Sequence, residues 1–188
     1  MKSLVAALEA LDGGARPLAL LPAEALHGIA SAGGLDWLPM ALNLQVTQAI
    51  YDGLGGGEAD RFFRAHTLAS FDGPILQTLV TTGVRMLGLD PVSFARWVPR
   101  AWHMLFRGVG EWSVEPSGPG ASAVVLTLAR LPSDCADHPV WLRSVARSLD
   151  ALLDLARTRG SAELMPRARG AREAQLELRW MARSPPQP

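Results

Sequence analysis

The spacing of apolar residues changes abruptly after Gly110, and that change sets the fold class. Upstream, apolar side chains recur every three or four residues, as in 37–50 and 94–106, which is the spacing of one helix face. Downstream they alternate with polar residues, which is the two-residue period of a half-buried strand. We therefore predict an α+β fold, in which a helical N-terminal half is followed by a β-β-α-β-β unit.

Glycine and proline divide the N-terminal half into separate helices. The predicted helices cover 4–11, 25–30, 37–50 and 58–69, and one more runs from Gly73-Pro74 to Leu87. Asp90-Pro91 then opens a helix, because an acidic residue caps the first turn and proline is tolerated at the first helical position. This helix should run to Gly108, with a kink or a break at Pro99. We call it the aromatic helix, since it carries two tryptophans and two phenylalanines.

Two hairpins and a long helix are predicted in the second half. Trp112 and Val114 begin the first hairpin, 117–120 forms its turn, and alternating apolar residues over 124–128 form its second strand. After a loop at 132–137, a long helix starts at Pro139 and should end before Gly160. The last strand is the most regular, with one apolar and one polar face: Ala174, Leu176, Leu178 and Trp180 against Glu173, Gln175, Glu177 and Arg179. The long helix should cover a small antiparallel sheet.

The length and composition favour one domain. The chain has 188 residues and is 48% hydrophobic, enough for a packed core. We expect a single domain over 1–182, with 1–108 mainly helical and 109–182 containing the sheet and the long helix. The two halves should share one core, and 183–188 should be a disordered tail.

Charge and cysteine content limit the classes of partner. Eighteen basic residues balance eighteen acidic ones, so no net field favours nucleic acid. The single cysteine, Cys135, excludes an internal disulfide framework. No apolar stretch is long enough to span a membrane. We expect a cytoplasmic protein that binds no nucleic acid.

No recognisable set of catalytic or metal-binding residues is present. The glycine run 53–57 follows a helix rather than a strand, so it does not resemble a nucleotide loop. Cys135 and His138 supply at most half of a zinc site, and Glu173 and Glu177 lie on a solvated strand face. These residues predict a chain that is not an enzyme, holds no metal and takes no cofactor.

The aromatic helix is the best candidate for a binding site. Trp97, Trp102, His103 and Phe106 lie close together on it, and Pro99 loosens its hydrogen bonding. Such a segment can line an apolar pocket, although ordinary core packing explains it as well.

Several short motifs resemble known domains. The segments 99–102 (Pro-Arg-Ala-Trp) and 106–108 (Phe-Arg-Gly), the turn 118–120 (Gly-Pro-Gly) and 178–180 (Leu-Arg-Trp) resemble an uncharacterised domain family abundant in myxobacteria. The order of elements over residues 35–181 is similar to that of the heme nitric-oxide/oxygen-binding domains. It is also similar to that of 4-vinyl-reductase-type domains, which share their layout with subunits of the TRAPP vesicle-tethering complex.

The resemblance implies a role for two residues. His103 falls where the heme domains have their iron-ligating histidine. Arg130 is the one residue of the family's Tyr-x-Ser-x-Arg propionate clamp that occurs in 126–130. The resemblance therefore implies that Arg130 is the anion anchor of the pocket on the aromatic helix. The resemblance to the vinyl-reductase type implies binding of an apolar small molecule or docking of a protein, often as a homodimer and together with signalling domains.

Three functional hypotheses follow. The first is a non-catalytic cytoplasmic regulatory or sensory module that binds a small apolar ligand or a protein partner. The second is a heme or tetrapyrrole sensor that uses His103. The third is a structural adaptor that forms a homodimer and takes no ligand.

Overall fold

The structure is a computed structural model, and it describes residues 1–33, 36–71, 90–116, 122–168 and 170–181. Its helical half contains α1 (Lys2–Glu9), α2 (Ala15–Ala19), α3 (Ala23–Ser31), α4 (Met40–Leu54) and α5 (Gly56–Ser70). The second part contains α6 (Pro91–Leu105), β1 (Glu111–Pro116), β2 (Ala123–Ala129), α7 (Ser133–Ala136), α8 (Pro139–Leu155), β3 (Gly160–Leu164) and β4 (Ala174–Trp180). The predicted α+β class and the β-β-α-β-β order are confirmed.

The four strands form one antiparallel sheet in the order β1-β2-β4-β3. Leu126 lies opposite Leu176, and Val124 lies opposite Leu178, so the apolar faces of the two central strands coincide. All four of these side chains are buried. Helix α8 packs against β3 and β4 on this face, as the alternation predicted.

Helix α6 is the predicted aromatic helix. Asp90 caps it by accepting a hydrogen bond from the backbone N–H of Ser93 at 3.0 Å, and Pro91 occupies the first helical position. Pro99 lies inside the helix, but α6 continues as one element to Leu105, so the predicted break does not occur. Tertiary packing of the buried face outweighs the one backbone hydrogen bond that proline removes.

Gly110 fixes the passage from α6 to β1. Its φ is +77°, and a Cβ there would lie 2.6 Å from the carbonyl oxygen of Ala129. Only glycine fits such a left-handed conformation against a neighbouring strand. The switch from helix to sheet therefore occurs where the change of periodicity predicts it.

Helix α8 begins at a histidine cap. The Nδ1 atom of His138 accepts a hydrogen bond from the backbone N–H of Trp141 at 3.1 Å, which satisfies a free donor of the first turn. Burial lowers the pKa of His138, which keeps this nitrogen available as an acceptor. The predicted loop at 132–137 contains the short helix α7, on which Cys135 is buried.

The buried apolar residues form two clusters rather than the single core that we expected. One joins the sheet, α6 and α8, and includes Leu44 from α4. The other joins helices α1 to α5. Arg64 on α5 spans the two parts through a bidentate ion pair with Asp154 on α8, with distances of 2.7 and 2.6 Å. The two halves are thus bound to each other although their cores are distinct.

Three sequence predictions fall on residues outside the described ranges. They are the helix from Gly73-Pro74 to Leu87, the turn 117–120 and the tail 183–188. None of the helices in the described ranges has the length and apolar character needed to cross a membrane.

Candidate functional site

Residues of both apolar clusters line a cavity of about 400 Å³. They come from α1, α4 and α5 of the helical half and from α6, β1 and α8 of the second part. Its volume lies within the range of small-molecule sites, and its lining is mainly apolar. The lining combines aliphatic and aromatic side chains: Leu4, Val46, Phe63, Phe71, Phe94, Trp97, Val98, Trp102, Leu105, Phe106, Trp112, Trp141, Val145, Leu149 and Leu152.

Trp102 is at the centre of the aromatic wall. Its ring centroid lies 4.2 Å from that of Phe106, 5.5 Å from that of Trp112 and 6.2 Å from that of Trp141. The Trp112 ring is nearly perpendicular to it, an arrangement that aromatic pairs favour. The Nε1–H of Trp102 donates to the carbonyl of Val109 at 3.0 Å, which ties α6 to the turn before β1. The wall is therefore held by packing and by a buried hydrogen bond.

The indole N–H groups of the other two tryptophans differ in their partners. Trp141 donates to the side-chain oxygen of Asn43 at 3.1 Å. The Nε1 atom of Trp112 is buried and has no acceptor within the described part of the chain. A buried donor without an acceptor is costly, so Trp112 contributes its ring to the aromatic wall at the expense of an unsatisfied N–H.

His66 adds an imidazole to the lining of the cavity. It lies on α5 and stacks on Phe62, with ring centroids 5.8 Å apart and planes inclined by 5°. Its ring makes no hydrogen bond within the described residues. Burial lowers the pKa of His66, so the neutral imidazole, with a free lone pair on one nitrogen, predominates at neutral pH.

The five residues predicted for the pocket fall into two groups. Trp97, Trp102 and Phe106 line the cavity. His103 is exposed, and Arg130 pairs with Glu111 at 2.9 Å on the surface. His103 and Arg130 meet instead in a shallow depression outside the cavity.

Sequence reasoning missed three groups of this cavity. Trp112 was predicted only as part of the first hairpin, and neither Trp141 nor His66 was predicted as a site residue. A signal for His66 exists in α5, because it follows the buried Phe62 and Phe63 by four and three residues and so continues their helix face. Its partners across the cavity are distant in sequence and give no local motif.

The described residues do not support a metal site or a cysteine nucleophile. Within the described ranges, no group of three or more histidine, cysteine, aspartate or glutamate side chains is arranged to hold a metal ion. Burial raises the pKa of Cys135 to about 11, and the neighbouring Asp134 adds to this effect. Because a thiol in this state is protonated at neutral pH, it is a poor nucleophile.

No protein-family model and no curated protein matches the chain. Among solved structures, the chain is similar to an Fe(II) unliganded H-NOX protein from K. algicida, with a TM-score of 0.65, 10% identity, and coverage of 98% of this chain and 96% of that one. It is also similar to an oxygen-binding H-NOX domain related to soluble guanylate cyclases, with a TM-score of 0.57, 9% identity and coverage of 96% and 92%. A third similar structure comes from work on heme distortion in the H-NOX family, with a TM-score of 0.61, 8% identity, and coverage of 99% of this chain and 95% of that one.

These comparisons correct one sequence prediction. The expectation that the chain takes no cofactor is contradicted, because the fold that it shares includes an Fe(II) H-NOX protein and a structure from work on heme distortion. The prediction failed because the cavity is assembled from six elements of both halves, so no single segment carries a cofactor motif. At these identities the likeness establishes the fold: this chain has the architecture of the H-NOX domains.

Proposed function

We propose that this chain is a non-catalytic sensor domain that binds a flat, mainly apolar tetrapyrrole, with heme as the first candidate. The observation that carries the proposal is the cavity of about 400 Å³ that is lined by residues of both hydrophobic clusters. Apolar surface that faces a void loses dispersion contacts on that side. A flat apolar ligand would restore those contacts and join the two clusters into one continuous core.

The residues of the cavity fit the ring of a tetrapyrrole. Trp102, Phe106 and Trp112 supply aromatic surfaces, and His66 supplies a neutral imidazole. Heme would supply an iron that can be reduced and can bind a diatomic gas, which is the chemistry that a gas sensor uses.

The carboxylates of heme would be bound differently from the arginine clamp that the resemblance implies. No arginine or lysine is among the described residues that line the cavity. The polar groups available there are hydroxyls and an amide, such as Ser3, Asn43 and Ser148. Neutral donors and solvent would therefore satisfy the carboxylates, so their contribution to affinity should be smaller than that of the ring. An uncharged apolar ligand is the second candidate, and the lack of arginine and lysine in the described lining favours it.

Titration with hemin and with metal-free protoporphyrin IX tests the proposal. Binding should shift the Soret band and raise the melting temperature, because a ligand that binds only the folded chain stabilises it. Ala101→Phe should block binding, since Ala101 lines the cavity from α6. Met104→Phe is the matched control, because Met104 lies on the exposed side of the same helix.

Two outcomes would contradict the proposal. One is a wild-type protein whose melting temperature and absorption spectrum are unchanged by either porphyrin. The other is equal binding by the Ala101→Phe and Met104→Phe variants, which would place the porphyrin outside the cavity. Stabilisation by an uncharged apolar compound alone would favour the second candidate.

The remaining sequence expectations complete the proposal. They are a single domain over 1–182, a cytoplasmic location, a role in signalling, and a protein partner or a second copy of the chain. Kinship with the 4-vinyl-reductase-type domains and with the myxobacterial family rests on the motifs at 99–102, 106–108 and 178–180. Light scattering of the purified protein would test the homodimer.

A further inference from the structure

The described walls of the cavity offer few groups that can bind a porphyrin metal. The side chains that proteins use for this purpose are histidine, cysteine, methionine and tyrosine. Of these, only His66 and Met1 line the cavity within the described ranges. The sulfur of Met1 accepts a hydrogen bond from the Asn43 amide at 3.5 Å, so the thioether already has a partner.

The other three histidines are engaged or directed elsewhere. His103 and His27 are exposed, and neither lines the cavity. His138 uses its Nδ1 atom to cap α8. His66 is therefore the one imidazole on the cavity wall among the described residues.

The surroundings of His66 suit a metal ligand. Parallel stacking on Phe62 orients the imidazole, as both residues lie on the same face of α5. No hydrogen bond to another described residue occupies its ring nitrogens. The neutral state that burial favours leaves a lone pair available for a metal.

We propose that His66 on α5, and not His103 on α6, is the axial ligand of a metalloporphyrin bound in this cavity. The inference rests on the proposed function and adds the identity of the ligand and the wall that supplies it. The ligand would come from α5 in the helical N-terminal half and not from the aromatic wall of α6. A sensor built in this way would transmit a change at the metal directly to α5, which contacts α8 through the Arg64–Asp154 ion pair.

Absorption spectra of hemin complexes test the assignment. Hemin should be titrated into the full chain and into the His66→Phe, His66→Ala and His103→Ala variants. His66→Phe preserves a ring that can stack on Phe62, and it removes both nitrogens. We expect both His66 variants to bind hemin roughly tenfold or more weakly and with an altered Soret band. His103→Ala should behave as the wild type does.

Two controls separate loss of the ligand from loss of the cavity. Metal-free protoporphyrin IX, followed by fluorescence, should bind the wild type and His66→Phe with the same affinity, because it needs no axial ligand. Free imidazole should restore the wild-type hemin spectrum to His66→Ala by filling the space that the side chain leaves.

The possible results separate a failure of the His66 assignment from a failure of the proposed tetrapyrrole binding. If His103→Ala abolishes the hemin spectrum and the His66 variants retain it, the assignment is overturned and the tetrapyrrole function stands. If all variants give the wild-type spectrum, the assignment is also overturned, because hemin then binds without either imidazole. If neither porphyrin binds the wild type, the proposed function itself fails.

Discussion

Replacement of Trp102 by phenylalanine tests how the aromatic wall of the cavity is held. Trp102 is 8% exposed, and its indole N–H donates to the carbonyl of Val109, a residue that is 4% exposed. Phenylalanine leaves this buried carbonyl without its donor, at a cost of about 1–3 kcal/mol. Its smaller ring also buries less apolar surface, which costs about 1 kcal/mol more. We expect the free energy of unfolding to fall by about 2–4 kcal/mol.

Urea unfolding followed by far-UV circular dichroism measures this loss, with Trp97→Phe as the matched control. Trp97 lies on the same helix and lines the same cavity, but its indole makes no hydrogen bond within the described residues; it contacts the Arg100 guanidinium at 5.5 Å. The control should lose less than about 1 kcal/mol. Equal losses in the two variants would refute the role of the Trp102 hydrogen bond and would leave packing as the whole explanation.

Three further predictions concern the framework around the cavity. Gly110→Ala should destabilise the chain by about 1–3 kcal/mol more than Gly108→Ala in urea unfolding. Both glycines have positive φ, but only at Gly110 would a Cβ lie 2.6 Å from a backbone carbonyl oxygen. Equal losses of stability in the two variants would rule out that clash. Cys135 should react with a thiol reagent at pH 7 only when the chain unfolds, because burial raises its pKa to about 11. Rapid labelling of the native protein would contradict this prediction, because it would show that the thiol is accessible in the folded chain. A double-mutant cycle with Arg64→Met and Asp154→Asn should give a coupling free energy of about 1 kcal/mol in urea unfolding, since the ion pair is bidentate but partly exposed. If the effects of the two substitutions on the free energy of unfolding are additive, the ion pair does not stabilise the fold.

Much of the fold follows from local sequence signals. The alternation over 124–128 and 174–180 predicts two strands whose apolar faces coincide, and the structure pairs them in that register. Asp90-Pro91 predicts the start of α6, because a capped first turn needs only neighbouring residues. The end and the continuity of α6 depend on packing, so of the kink or break that the sequence predicted at Pro99, the break does not occur.

The cavity could be predicted only in part, because periodicity identifies a helix face but not what lies opposite it. Phe94, Val98 and Trp102 are spaced by four residues and are buried, which defines the inner face of α6. His103 follows Trp102 by one residue and is therefore rotated by about 100° around the helix axis. The same geometry argues that His103 points away from that face, and the structure places it on the exposed side. The resemblance to the heme domains suggested a role for His103 that its own helix face does not support.

His66 shows why the part of the cavity lining that α5 supplies could not be predicted from the sequence. It continues the face of Phe62 and Phe63 on α5, so its inward direction follows from periodicity. What it faces is set by the packing of α5 on α8 and by the position of α6, which are contacts between residues far apart in the chain. A histidine at the end of a buried stripe can be a satisfied core residue or a ligand, and the two cases differ in whether its nitrogens have partners. In this chain no described residue hydrogen-bonds to the ring and a cavity adjoins it, which is the arrangement that the proposed metal ligand requires.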